Sequence, residues 1–313
     1  MEPPQGRILV IRGGAIGDFI LTLPAIAALR RQFPAAHLEV LGYPHIAQLA
    51  LAGGLVNRVQ SIEAGALAGF FARGGRLSLD LADYFSEFDL VVSYLYDPDG
   101  IFRNNVGLCT GAQFIQAPHR ADDRARLHAA RVYLRPLERL AIFEADPVPR
   151  LSLVPSSPPL DLRAAPQPIL ALHPGSGSER KNWPEPHWAE LLAHLTRSTN
   201  LGLLLVGGEA EGDRLQRLAA VLPSDRTRVA QSLPLADLAR CLAGCHAFIG
   251  HDSGISHLAA AVGLPALILW GDTDEEVWRP PGEKVMLLCH PDGLARLPVA
   301  EVIEQLSRLL AAT

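Results

Sequence analysis

The chain has 313 residues, 49% of them hydrophobic, with a formal net charge of −5 and a pI near 6.1. This length fits two domains of about 150 residues, each with a substantial core. The acidic balance argues against a nucleic-acid partner, which needs a basic patch. The N-terminus lacks a basic stretch followed by an apolar one, and no window of about 18 residues is apolar throughout, so neither a signal peptide nor a spanning helix is expected and the expected location is cytoplasmic.

In chain order, Arg7 to Arg12 reads as a buried strand by its apolar run, and Gly13 to Gly17 as the turn after it. Asp18 is expected to cap a helix with Phe19, Ile20, Leu23, Ile26, Ala27 and Leu29 facing inward. Pro24 is expected within its first two turns, where proline disrupts least. A strand over Leu38 to Leu41, a helix from 44, a strand near 57–60, helices from 63 and 77 and a strand over 88–94 follow. A short strand at Gln113 to Gln116 precedes an arginine-rich helix from 124. Such alternation argues for a parallel sheet covered on both faces.

Seven prolines fall between Pro147 and Pro168 with little periodicity, and Pro155-Ser-Ser-Pro-Pro159 is the expected linker. A second series then places strands at 169–172, 202–206, 227–230, 246–250, 266–270 and 285–289. Its helices fall at about 185–198, 210–221, 234–243 and 254–262, with a last amphipathic helix from Pro298 to Ala311. The expected organisation is a first domain over 1–155, a proline-rich linker over 156–168 and a second domain over 169–297. A C-terminal helix over 298–313 is free to pack back on the first domain. In such sheets ligands bind outside the carboxyl ends of the strands, so both series are expected to face one cleft.

Four stretches carry chemistry. Arg12-Gly-Gly-Ala-Ile-Gly-Asp18 has Gly14 and Gly17 after the first strand, but Arg12 replaces the first glycine of a dinucleotide fingerprint and Glu39 lies inside the second strand, so a nicotinamide cofactor is disfavoured. The glycines instead allow backbone close to a bulky ligand. Asp18, at a helix N-terminus, could take a proton from a substrate hydroxyl, unless it is only a cap. His173-Pro-Gly-Ser-Gly-Ser178 leads to Lys181, one of only two lysines, and offers Gly175, Ser176 and Ser178 to an anion without the order of a Walker A loop. Glu209 follows a buried strand, where a carboxylate can accept from ribose hydroxyls. Asp252-Ser-Gly-Ile-Ser-His257 starts a helix, with Asp252 or Ser253 as its cap, where phosphate is favoured. His251 and His257 have no third ligand at metal spacing, and Cys241 and Cys245 read as buried small residues. Arginines 120, 124, 126, 131, 135 and 139 read as a solvated face, or as a contact for an acidic acceptor or anionic membrane surface.

Taken together, Arg12-x-x-Ala-Ile-Gly-Asp18 with Thr22-Leu-Pro24, His173-Pro-Gly with Lys181-x-Trp-Pro184, and Asp252-Ser-Gly-Ile-Ser-His257 resemble the signature blocks of glycosyltransferase family 9, the ADP-heptose:lipopolysaccharide heptosyltransferases. The resemblance implies an α/β architecture of the GT-B fold, two Rossmann-like doubly wound parallel-sheet domains facing a cleft. It implies an inverting transfer of a heptose or related sugar from an ADP-activated donor to an acceptor hydroxyl, with Asp18 as general base. Lys181 and Ser176 would meet the donor phosphates, Glu209 the ribose, Leu233 the adenine, and Asp252, Ser253, Gly254 and His257 the diphosphate and sugar. Gly14, Gly17, His173, Gly175 and Ser178 complete the donor set. No cofactor is required on this reading and no metal ligand is assigned; metal dependence stays open. Expected partners are the nucleotide-sugar donor and a glycan, lipid-linked, protein or small-molecule acceptor, with a peripheral contact to the inner membrane. Gly14 replaces a serine common in the first block. The other readings are a nucleotide-sugar epimerase and a non-catalytic nucleotide-sugar-binding protein.

Overall fold

The computed structural model describes residues 6–63, 65–75, 77–154, 160–162, 164–209 and 211–312. The expected linker segment Pro155 to Pro159 lies outside the described residues. The chain divides into two units, Met1–Val154 and Pro155–Thr313.

In unit 1 the strands are β1 (Arg7–Arg12), β2 (His37–Gly42), β3 (Arg58–Ser61), β4 (Leu90–Ser93) and β5 (Gln113–Gln116). They form one parallel sheet in the order β3-β2-β1-β4-β5. The helices are α1 (Ile16–Gln32), α2 (Pro44–Ala52), α3 (Leu79–Ser86), α4 (Ile101–Gly107) and α5 (Ala129–Leu134). Strands covered on both faces need apolar side chains at every position, which is why Ile8 to Ile11 and Val91 to Val92 read as unbroken apolar runs. Leu9, Ile11 and Val91 pack with Phe70, Phe85, Phe88 and Phe102 on one face of this sheet. Glu39 is a fully buried carboxylate in β2, held by Arg7 at 2.9 Å, His37 at 2.7 Å and the Tyr84 hydroxyl at 3.2 Å. It is neutralised inside the sheet by these partners and is unavailable to a nucleotide ribose.

Three expectations for this unit need correction. The N-cap of α1 is Ala15, and Asp18 sits three residues in. Its carboxylate accepts from the Ala15 N–H at 3.2 Å, one half of a capping box. Pro24 is consequently deep in the helix, which runs on to Gln32. Burial of Leu21 to Ile26 on nearly all sides offsets the roughly 3 kcal/mol that an interior proline costs. The arginine-rich stretch is not one helix. Arg126 adopts a left-handed conformation at φ 47°, separating a short turn at Asp123–Ala125 from α5, and Pro136 opens a second short turn at Arg135–Leu140.

In unit 2 the strands are β6 (Ile169–His173), β7 (Gly202–Gly207), β8 (Thr227–Gln231), β9 (Ala247–His251), β10 (Ala266–Leu269) and β11 (Val285–Leu288). They form a parallel sheet in the order β11-β10-β9-β6-β7-β8. The helices are α6 (Glu185–Ser198), α7 (Gly212–Ala220), α8 (Leu235–Ala243), α9 (Gly254–Ala261), α10 (Glu275–Trp278) and α11 (Val299–Ala311). Val302, Leu306 and Leu309 of α11 join Trp183, Trp188, Leu192 and Leu203 in one buried cluster. The apolar stripe of the last helix is thus used within unit 2.

Both sheets reverse direction once. In unit 1 the chain winds outward from β1 to β3, then returns to the other side of β1 as β4. In unit 2 it winds from β6 to β8 and returns beside β6 as β9. At such a switch point the two adjacent loops leave the carboxyl ends in opposite directions and open a crevice. The loop after β1 carries Gly13 to Ala15, and the loops after β6 and β9 carry Pro174 to Ser178 and Asp252 to Ser253.

Candidate functional site

In unit 1 the loop after β1 turns tightly. Gly14 has φ 96°, and a Cβ there would stand 3.1 Å from the Asp18 Oδ2, so a serine in its place would be strained and crowded. Without it, the Asp18 carboxylate folds back over the loop. Oδ2 accepts from Ala15 N–H, while Oδ1 lies 3.4 Å from the Tyr133 hydroxyl and 3.6 Å from Arg12 Nη2. Burial pushes the Tyr133 phenol up, Asp18 adding to this and Arg12 opposing it, so the hydroxyl keeps its proton and donates. Gly17 lies in the first turn of α1.

In unit 2 the loops after β6 and β9 converge. Lys181 Nζ lies 2.6 Å from Asp252 Oδ2, and the Thr273 hydroxyl donates to the same oxygen at 2.5 Å. Ser253 is the N-cap of α9, its hydroxyl accepting from Ser256 N–H at 3.4 Å, and Gly254 is the first helical residue. Ser176 Oγ lies 2.7 Å from Asn182 Oδ1 and 2.8 Å from Ser178 O, which fixes the serine loop. A cavity of about 140 Å³ opens beside Lys181, lined by Arg180, Gly271, Asp272, Thr273, Gly293 and Leu294. The helix N-terminus, the glycine-rich turn and one ammonium together make an anion-receptive edge.

Behind this edge lie further polar groups, most of them buried. His173 is buried, with Nδ1 donating to Val206 O at 2.9 Å, and burial lowers its pKa, so a neutral ring ties β6 to β7. His251 donates from Nδ1 to Gly175 O at 3.1 Å and accepts at Nε2 from Trp183 N–H at 2.8 Å. One ring nitrogen must accept, so the ring is neutral. His257 is buried in α9. Glu211 is buried and accepts from Gly208 N–H at 2.9 Å, pressed against Gly175, where an added Cβ would stand 2.2 Å from its Cγ. Arg214 donates to Pro174 O at 3.1 Å and to Glu179 at 2.7 Å, bracing the same loop.

Burial depresses His251 to about 3, from an ordinary value of 6.5. The folded pKa lies below the unfolded one, so the unfolded chain takes up the proton first. Stability from this group is complete above about pH 6.5 and is lost as pH falls toward about 3, by on the order of 1.4 kcal/mol per unit. The thermal midpoint should therefore fall between pH 7 and pH 5, and less steeply in His251→Gln. A flat midpoint in the unmodified chain over that range removes the neutral-ring assignment.

The structure thus gathers Gly175, Ser176, Ser178, Lys181, Asp252, Ser253, Gly254 and His257 around one switch point. Glu209 is exposed after β7, and Leu233 is half-buried after β8, each at the carboxyl end of a strand farther along the sheet. Asp18, Gly14 and Gly17 belong to unit 1. Sequence reasoning passed over Tyr133, Asn182, Glu211, Arg214 and Thr273. Asn182 lies within a loop already of interest, whereas nothing near Tyr133 signals a contact 115 residues away. Among the described residues, no group of three or more His, Cys, Asp or Glu side chains is placed to hold a metal ion, and no helix is long and apolar enough to cross a membrane.

Comparison with solved structures places this architecture. The glycosyl transferase family 9 protein from Veillonella parvula superposes with a TM-score of 0.79 at 19% identity, over 100% of this chain and 99% of that one. The E. coli ADP-heptose lps heptosyltransferase II superposes with a TM-score of 0.77 at 19% identity, over 98% and 99%. Two parallel sheets, each with its motif loops at a switch point, define the chain as a protein of the GT-B fold class. The model of the family described as glycosyltransferase family 9 (heptosyltransferase) matches residues 137–297, just over half of the sequence. The chain belongs to glycosyltransferase family 9. Lipopolysaccharide heptosyltransferase 1 of Pseudomonas aeruginosa is 38% identical over 107 residues, 34% of this chain, and the alignment spans only 30% of that relative's length.

Proposed function

We propose that the chain is an inverting glycosyltransferase that moves a heptose, or a related sugar, from an ADP-activated donor to an acceptor hydroxyl in lipopolysaccharide-core or other glycan assembly. The observation that carries this reading is the convergence at the unit 2 switch point: Lys181, the serine loop and the capped N-terminus of α9 form one anion-receptive edge. Family membership and the names of the relatives supply the donor class. In the reaction, the acceptor hydroxyl gives its proton to Asp18, its oxygen forms a bond to the anomeric carbon, and the bond from that carbon to the diphosphate breaks. The departing negative charge is met by Lys181 and by the backbone N–H groups of the two loops. Glu209 would meet the ribose and Leu233 the adenine. The expected setting is cytoplasmic, with the acceptor reached at the inner membrane surface.

Titrating ADP, UDP and GDP into the protein, then assaying ADP-heptose against heptose-free lipopolysaccharide core, protein and small glycans, tests this. ADP should bind at least about tenfold tighter than UDP or GDP. Preference for UDP overturns the donor assignment. Sugar released without an acceptor points to an epimerase or hydrolase, and donor binding without turnover on any acceptor points to a binding protein.

A further inference from the structure

Asp18 does not stand alone in unit 1. Beneath its carboxylate lies Arg12, only 2% exposed, whose guanidinium donates to His119 O at 2.7 Å, Asp18 O at 3.3 Å and Tyr94 O at 3.5 Å. Its carbon lies 4.6 Å over the Tyr133 ring and 5.7 Å over that of Tyr94. The two rings meet edge to face at 5.9 Å, and the Tyr94 hydroxyl donates to Tyr133 O at 2.8 Å. Thr22 Oγ1 also donates to Asp18 O at 2.8 Å. A buried guanidinium is costly unless a negative charge meets it. The carbonyls accept only from Nη1 and Nη2, and the ion-pair partner the structure gives the guanidinium is Asp18.

The geometry around that carboxylate is asymmetric. Oδ2 is tied to Ala15 N–H, and Oδ1 faces Tyr133 and Arg12. Two restraints at opposite oxygens fix the plane of the group, and the side chain remains 28% exposed. We infer that Arg12 and Tyr133 are positioning residues for Asp18: a buried clamp, reaching from β1 and α5, that sets the plane of the carboxylate and leaves its open edge to the acceptor hydroxyl. The inference rests on reading Asp18 as the general base. A clamp of this kind explains why an arginine stands where the dinucleotide fingerprint has glycine. The position is filled by a charge that meets the aspartate six residues on. It also gives α5 a reason to lie against α1, since that contact delivers the Tyr133 hydroxyl.

Removing one oxygen tests the clamp with little disturbance. Tyr133→Phe keeps the ring, its packing and its stacking on Arg12. Losing one hydrogen bond to a charged group should lower kcat about tenfold on the acceptor that supports turnover. The KM for ADP-heptose and for acceptor should stay within about twofold, because neither substrate loses a contact. The decisive arm is the same change made in Asp18→Asn: a positioning residue has nothing left to position, so Tyr133→Phe should cause no further loss there. Arg12→Lys, which keeps the charge, should retain more kcat than Arg12→Met. Full turnover by Tyr133→Phe, or an equal loss in both backgrounds, overturns the clamp while leaving Asp18 as base. Wild-type turnover by Asp18→Asn overturns the base reading and the clamp with it.

Discussion

Replacing Asp18 with asparagine is expected to lower transfer about 10³-fold, within the range that removal of a general base produces, while ADP binding stays within about twofold. The substitution is close to isosteric. The asparagine oxygen can still accept from Ala15 N–H, so the start of α1 is preserved. What is lost is the ability to take a proton, together with the negative charge that meets Arg12. Because Asp18 lies in unit 1 and the ammonium and serine loop lie in unit 2, the two effects separate cleanly in calorimetry and kinetics. Asp18→Glu offers a second reading: the carboxylate returns but the extra methylene moves it off its tether, so activity should recover only in part. An Asp18→Asn variant that turns over like the unmodified chain would falsify the assignment of the base.

Much of the architecture was legible because parallel strands buried on both faces must be apolar throughout. Leu203 to Val206 and Phe248 to Ile249 could be little else, and each is followed by glycine and polar residues at a carboxyl end. The loops stood out on a different ground, the run of glycine and serine between a strand and a helix at 175–178. The start of α1 was not. Asp18 is a good residue both for an N-cap and for the third helical position, and composition cannot separate the two. The arginine-rich segment failed because a helix pattern says nothing about a single residue, Arg126, turning left-handed. Glu209 and Glu211 show the hardest case. They lie two residues apart in one loop, yet Glu211 turns inward against Gly175 while Glu209 faces out. That choice is set by a missing Cβ 36 residues earlier, which no local rule reports. The Tyr133 contact with Asp18 is of the same kind.

Lys181→Met is expected to reduce kcat/KM by about 10²-fold, the scale on which loss of one preorganised charge at a leaving group is felt. The effect reaches beyond the lysine itself. Asp252 is 10% exposed and directs Oδ2 at both Lys181 Nζ and the Thr273 hydroxyl. With the ammonium removed, Thr273 still donates, but the carboxylate is no longer neutralised, and it stands at the N-terminus of α9 where the diphosphate would bind. Two negative groups then compete for one helix end, and at short range in partly buried surroundings that repulsion is worth several-fold in affinity or more. The damage should therefore be reversible without restoring the lysine. In the Lys181→Met background, Asp252→Asn should recover ADP affinity by about tenfold, although in the unmodified chain the same change weakens it. Lys181→Arg should not substitute, because a planar fork cannot take the place of a compact ammonium that meets a single oxygen at 2.6 Å. Calorimetric titration of ADP into these four variants decides the matter. If Asp252→Asn worsens binding equally with and without Lys181, the two side chains act independently and the ion pair has no part in holding the diphosphate.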